Sequence, residues 1–157
     1  MSKVTRATQM LTRSGVAFTV HTYAYDANAD KIGVQAAEAL SESPARVLKT
    51  LMALVDGKPV CVIVPSDREV AMKKLAAAFG GKAAEMMKPD AAERISGFKV
   101  GGISPFGQMR PVRTAMKQDA LKEDLVYING GQRGLQVRLA PHDAAKVLNA
   151  ITAPLAA

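Results

Sequence analysis

The sequence predicts an α+β fold in a single domain: a curved mixed β-sheet, partly barrel-like, surrounded by α-helices. Three observations carry this. Stretches with strand alternation slightly outnumber stretches with helical spacing, and the two kinds are interleaved along the chain. Asp56-Gly57, between two apolar runs, is a two-residue hairpin signal, so part of the sheet is antiparallel. The 157 residues, 48% hydrophobic and 22% charged, suffice for one core, and no repeat or low-complexity linker divides them.

The elements follow in order. Val4, Ala7 and Leu11 recur at helical spacing from Val4 to Ser14, and Gly15 is placed to cap that helix. Phe18 to Tyr23 alternates as a strand, with His21 and Tyr23 on one face. Gly33 to Leu40 reads as a short helix, broken by Ser43-Pro44. Val47 to Val55 and Val60 to Val64 are the two arms of the hairpin. Asp67 caps a helix expected from Arg68 to Phe79, stopped by Gly80-Gly81. A short strand, Ala83 to Met87, precedes a helix from about Asp90 to Ile95. Val112 to Met116, Leu125 to Ile128 and Leu135 to Leu139 read as strands, and Pro141 opens a last helix through Ile151.

Composition narrows the function classes. The one cysteine, Cys61, sits among β-branched residues, reads as a small core hydrophobe, and excludes an internal disulfide. Two histidines and one cysteine supply no metal-ligand spacing, so neither metal nor cofactor is expected. No apolar run approaches the roughly 18 residues of a membrane span, and the N-terminal residues do not read as a signal peptide, so a cytoplasmic protein is expected. The net charge is +7, and between Lys99 and Arg138 seven basic residues face three acidic ones. That excess suits a nucleic-acid or other polyanionic partner, or a solvated basic surface.

Two glycine-rich segments stand out: Gly101-Gly102-Ile103-Ser104-Pro105-Phe106-Gly107-Gln108 and Asn129-Gly130-Gly131-Gln132-Arg133-Gly134. Paired glycines at strand ends let backbone N–H groups approach an anionic ligand; the alternative is a turn whose glycines serve only positive φ angles. Lys49 lies inside the apolar run Val47–Val55. Buried there, its ammonium requires an anion or a lowered pKa; alternatively it snorkels from the strand's first turn to water. Ser104 as a nucleophile would need a base in reach, and only His21 and His142 are available, with no Ser/His/Asp arrangement legible. An enzyme built from these parts works by positioning and backbone electrostatics, with help from a group on its substrate.

Four segments together carry a family resemblance: His21-Thr22-Tyr23, Leu48-Lys49-Thr50-Leu51, Gly101 to Gln108, and Gly130 to Leu135. In order and spacing the chain resembles the YbaK-type Cys-tRNA(Pro) deacylases, relatives of the editing domain of bacterial prolyl-tRNA synthetases. The resemblance implies one editing domain over residues 1–157 that hydrolyses a wrongly formed cysteinyl ester on the proline tRNA, acting apart from the synthetase. It implies that Lys49 contacts the terminal ribose or phosphate, that the Gly101 N–H meets the ester carbonyl, and that Tyr23 and Thr50 line the pocket. The other substrate-binding candidates are Gly102 and Ser104 in the first glycine segment and Asn129, Gly131 and Arg133 in the second. The resemblance also implies that the substrate's own thiol attacks the ester, and that the acceptor end of tRNA(Pro) and prolyl-tRNA synthetase are the partners. The chain departs from the family pattern at Phe106, Met109 and Asn129, where relatives carry leucine, a basic residue and often serine. Two other functions stay open: deacylation of another mischarged tRNA such as Ala-tRNA(Pro), and a non-catalytic module that binds tRNA or a synthetase.

Overall fold

The computed structural model describes residues 4–28 and 32–157. The first helix, α1 (Arg6–Arg13), begins at a reciprocal cap in which Thr5 and Thr8 satisfy each other's backbone N–H groups. The Thr5 hydroxyl also donates to the Gly130 carbonyl, which ties the helix start to a distant strand. Next come β1 (Thr19–Thr22) and α2 (Ile32–Ala39). The hairpin then forms as expected: β2 (Leu48–Val55) and β3 (Lys58–Pro65) pair antiparallel around Asp56-Gly57. Both turn residues have positive φ (50° and 80°), as a right-twisted two-residue hairpin requires.

The helix expected from Arg68 is shorter. α3 spans Met72–Ala78, because the residues before it are tied elsewhere: Val70 bridges Ala156, and the Ala71 N–H donates to Leu155. β4 (Ala84–Met86) and α4 (Pro89–Ser96) follow, α4 ending on Gly97 at φ 79°. β5 (Arg113–Lys117) runs into a 3-10 turn at Gln118–Lys122 that the sequence pattern did not reveal. β6 (Val126–Gln132) continues through the second glycine pair, with a bulge between Asn129 and Gln132, instead of stopping before it. β7 (Leu135–Leu139) pairs back on it. The last helix, α5 (Pro141–Leu148), stops before Ile151 because Asn149 turns left-handed, freeing Ile151–Ala153 to form β8.

The strands form two sheets, where one curved sheet was expected. The larger is mixed, in the order β4-β2-β3-β5-β8; the smaller is antiparallel, β1-β7-β6. They meet at one parallel bridge, Val47 to Tyr127, where the Tyr127 N–H donates to the Arg46 carbonyl at 2.7 Å. Beyond it β2 pairs with β3 and β4, while β6 bulges and pairs only with β7, so the sheets part and no barrel closes. The α+β class stands. Phe106, Leu11, Ile63, Met116, Ile128 and Leu139, all essentially inaccessible, build the largest core beneath this junction. Cys61 packs with Met52, Met87 and Ala92. No helix among the described residues is long and apolar enough to cross a membrane.

Candidate functional site

The sheets part around a cavity of about 390 Å³, a volume in the range of small-ligand sites. Its walls are the first half of β2, the loop at 100–103, the start of α4, and single residues from β6, β7 and the chain after β1. Four apolar side chains, Met52, Met86, Met87 and Ile103, make much of its surface. Methionines adapt their shape to what they touch.

Against that apolar wall stand a few polar groups. Among the described residues, Lys49 is the only lysine or arginine lining the cavity. It is half-buried, and no carboxylate pairs with it among the described residues. The strand therefore neither hides the ammonium nor neutralises it; the charge faces whatever enters. Two further groups are buried and without a hydrogen-bond partner: the Thr50 hydroxyl and the Gln136 side-chain oxygen. Leaving such atoms unpaired costs about 1–3 kcal/mol each, so both await a ligand or water. Tyr23 completes this side; burial raises its phenol pKa, with the Gln136 side chain offsetting part of the effect.

The first glycine segment forms the opposite lip. The Gly102 N–H donates to the Lys99 carbonyl at 2.8 Å, closing a β-turn whose third residue, Gly101, sits at φ 91°. Three contacts hold the turn: the Glu93 carboxylate accepts from the Val100 N–H (2.8 Å), Arg133 Nε donates to the Val100 carbonyl (2.8 Å), and the Asn129 amide donates to the Gly101 carbonyl (3.2 Å). The Gly101 N–H itself has no acceptor among the described residues. A fixed turn thus sets Gly101, with its N–H unspent, in the cavity wall.

Of the residues singled out from the sequence, the structure brings Tyr23, Lys49, Thr50, Gly101 and Asn129 to this cavity. The other four lie outside its lining. Gly102 packs on the backbone of Gln132 and Arg133, where a Cβ would come within 2.7 Å of the Arg133 nitrogen, and its N–H is committed to the turn. Ser104 is fully buried and accepts from the Phe106 N–H at 3.1 Å, so its hydroxyl shapes the loop core. Gly131 donates to the Asn129 side chain at 2.6 Å within the bulge. Arg133 braces the turn from outside, its guanidinium 5.5 Å from the Tyr25 ring centre. His21 bonds Thr19 and meets Tyr127 edge-on, away from the cavity. Cys61 is buried, and burial pushes its thiol up to about 12. Gln136 was missed. Its signal was there: it is the polar residue facing away from Leu135, Val137 and Leu139, and it lies across from His21.

No histidine, cysteine or carboxylate lines the cavity among the described residues. What it offers is a cation, a backbone donor and neutral polar groups, an arrangement suited to holding an ester or phosphate and stabilising charge on it. Comparison with known proteins fits this chemistry. Residues 26–147 match the aminoacyl-tRNA editing domain model. EbsC of Enterococcus faecalis, whose name proposes a Cys-tRNA(Pro)/Cys-tRNA(Cys) deacylase, is 29% identical over 147 residues, covering 92% of this chain and 88% of its own. A proline–tRNA ligase of Nitratidesulfovibrio vulgaris is 34% identical over 91 residues; the match covers 57% of this chain but only 16% of the ligase. A solved structure described as a proposed trans-editing enzyme for prolyl-tRNA synthetase shares the fold, with a TM-score of 0.84 at 20% identity over 97% of this chain and 95% of that one. Fold and site thus define a hydrolase of aminoacyl-tRNA esters. The chain belongs to the aminoacyl-tRNA editing domain family.

Proposed function

We propose that this protein is a free-standing editing enzyme that removes cysteine wrongly esterified to the proline tRNA, with the substrate's own thiol as nucleophile. The observation that carries the reading is the composition of the cavity wall: an unspent backbone donor and an unpaired lysine, with no histidine, cysteine or carboxylate beside them among the described residues. The relatedness to EbsC and to a proline–tRNA ligase supports both the amino acid and the tRNA.

In this reading the cysteinyl sulfur, having lost its proton, attacks the ester carbonyl carbon. The Gly101 N–H donates to the carbonyl oxygen as it becomes an oxyanion. Collapse breaks the bond to the ribose oxygen, which takes up a proton, leaving a free tRNA terminus and a four-membered thiolactone that water opens to cysteine. Lys49 holds the terminal ribose or phosphate. Tyr23, Thr50, Asn129 and Gln136 line the space around the aminoacyl end, and Thr50 and Gln136 gain their missing partners there. Gly102, Ser104, Gly131 and Arg133 support the loop without touching substrate. One editing domain over residues 1–157 suffices for this chemistry, with prolyl-tRNA synthetase supplying tRNA selection.

Selectivity then follows from reactivity. Pockets separate side chains differing by a methylene by only about 1–3 kcal/mol, whereas serine offers a weaker nucleophile and alanine none. The test is single-turnover hydrolysis of Cys-tRNA(Pro), Ser-tRNA(Pro) and Ala-tRNA(Pro) at fixed salt. Rapid loss of cysteine alone is expected. Faster loss of alanine would overturn the thiol mechanism and move the protein to alanine editing, and no hydrolysis at all would leave a binding module.

A further inference from the structure

A second cavity, of about 470 Å³, adjoins the first and shares Met86 and Met87 with its wall. Its character is different. Lys88, Arg94 and Arg110 line it, opposed by one carboxylate, Glu85. All three cations are exposed, and none takes part in an ion pair among the described residues. They come from separate places: Lys88 precedes α4, Arg94 lies in its last turn, and Arg110 follows the glycine segment. The backbone holds them together, since the Arg110 N–H donates to the Ile95 carbonyl at 3.2 Å and the Met109 N–H to Ser96 at 2.9 Å. Met86, 45% exposed, forms an apolar ledge between the cavities.

We infer that this second cavity binds the phosphodiester backbone of the nucleotides immediately before the terminal, aminoacylated one. The inference rests on the proposed editing reaction for which end of the RNA it meets. A single-stranded RNA end carries one charge per nucleotide, and unpaired cations set around a cavity match that spacing better than one lysine could. The Met86 ledge gives an intervening base an apolar surface. The division of labour is physical: the first cavity reads the aminoacyl ester, and the second supplies the salt-dependent affinity for the chain that delivers it.

The test compares Lys88→Gln/Arg94→Gln/Arg110→Gln with a control that removes equal charge elsewhere, Arg13→Gln/Lys73→Gln/Lys146→Gln. Each is assayed on Cys-tRNA(Pro) and on cysteinyl-adenosine, which has no phosphodiester, and each is titrated with uncharged tRNA(Pro) by fluorescence anisotropy across a salt series. The cavity variant should lose about tenfold or more in tRNA affinity, and its log–log salt slope should fall by about 2, as three single-strand phosphate contacts imply. Its ratio of rates on tRNA and on cysteinyl-adenosine should fall in step, and the control should change much less. Equal losses in both variants, or an unchanged salt slope, would overturn the inference. If the wild-type protein hydrolyses neither substrate, the editing reading fails, and the anisotropy series still decides whether the cavity binds RNA.

Discussion

Replacing Gly101 by alanine separates the backbone donor from every other part of the site. Gly101 sits at φ 91°, and holding a non-glycine residue in that region costs about 1–3 kcal/mol. The new Cβ would also collide with the Tyr25 hydroxyl and lie 2.9 and 3.1 Å from two ring carbons. The ring can swing aside, at the expense of its stack with Arg133, but the φ strain has no such outlet. The turn must therefore reshape and carry its N–H away from the ester. An oxyanion donor is worth about 3 kcal/mol, so the expected loss is about 10²–10³-fold in the single-turnover rate. Urea denaturation should show a parallel loss of about 1–3 kcal/mol in stability. The double variant Gly101→Ala/Tyr25→Ala removes the collision, so it should recover part of the stability and none of the rate. A Gly101→Ala enzyme within about threefold of the wild-type rate would refute the assignment of this N–H to the reaction.

Lys49→Ala should lower deacylation about 100-fold or more while changing stability by no more than about 0.5 kcal/mol, because the ammonium is half-buried and unpaired; a near-normal rate would remove Lys49 from the mechanism. Thr50→Val should leave stability unchanged or raise it by about 1 kcal/mol, since it deletes a buried hydroxyl without a partner, yet weaken substrate binding; melting and KM measured together check this. Cys61→Ala should keep deacylation and cost about 1–2 kcal/mol in core packing. With Cys61 intact, the folded protein keeps its thiol proton up to about 12 whereas an unperturbed thiol loses it near 9.0, so the thiol's contribution is full below pH 9.0 and declines as pH rises from there. Alkaline melts should show that decline in the wild-type protein and lack it in Cys61→Ala.

The hairpin and α1 were legible because each rests on local rules: Asp56-Gly57 for the turn, and the spacing of Ala7 and Leu11 with the left-handed Gly15 after it for the helix. Elements fixed by distant partners were not. The start of α3 depends on the last residues of the chain, and β8 exists only because β5 offers it an edge. The site shows the same division. Lys49 was visible as a charge in an apolar run, and the glycine segments as breaks in pattern. The residue pattern alone does not separate the paired glycines; the family resemblance points to Gly101, and the difference lies in the fold, where Gly102 spends its donor on Lys99 and Gly101 does not. Gln136 escaped because a polar residue on the outward face of a strand looks ordinary until a second sheet parts from the first beside it.

The close seating of Gly102 on Gln132 and Arg133 makes the two glycine segments a single mechanical part, although about thirty residues separate them in sequence. Neither can be altered without a matching change in the other: a side chain at 102 must displace the bulge, and straightening the bulge must release the Asn129 amide from Gly101. Substitutions in the two segments are therefore expected to couple strongly in double-mutant cycles. Any evolutionary change in this lip has to proceed as a paired exchange, and random mutagenesis would have to reach both partners at once to find a new working geometry.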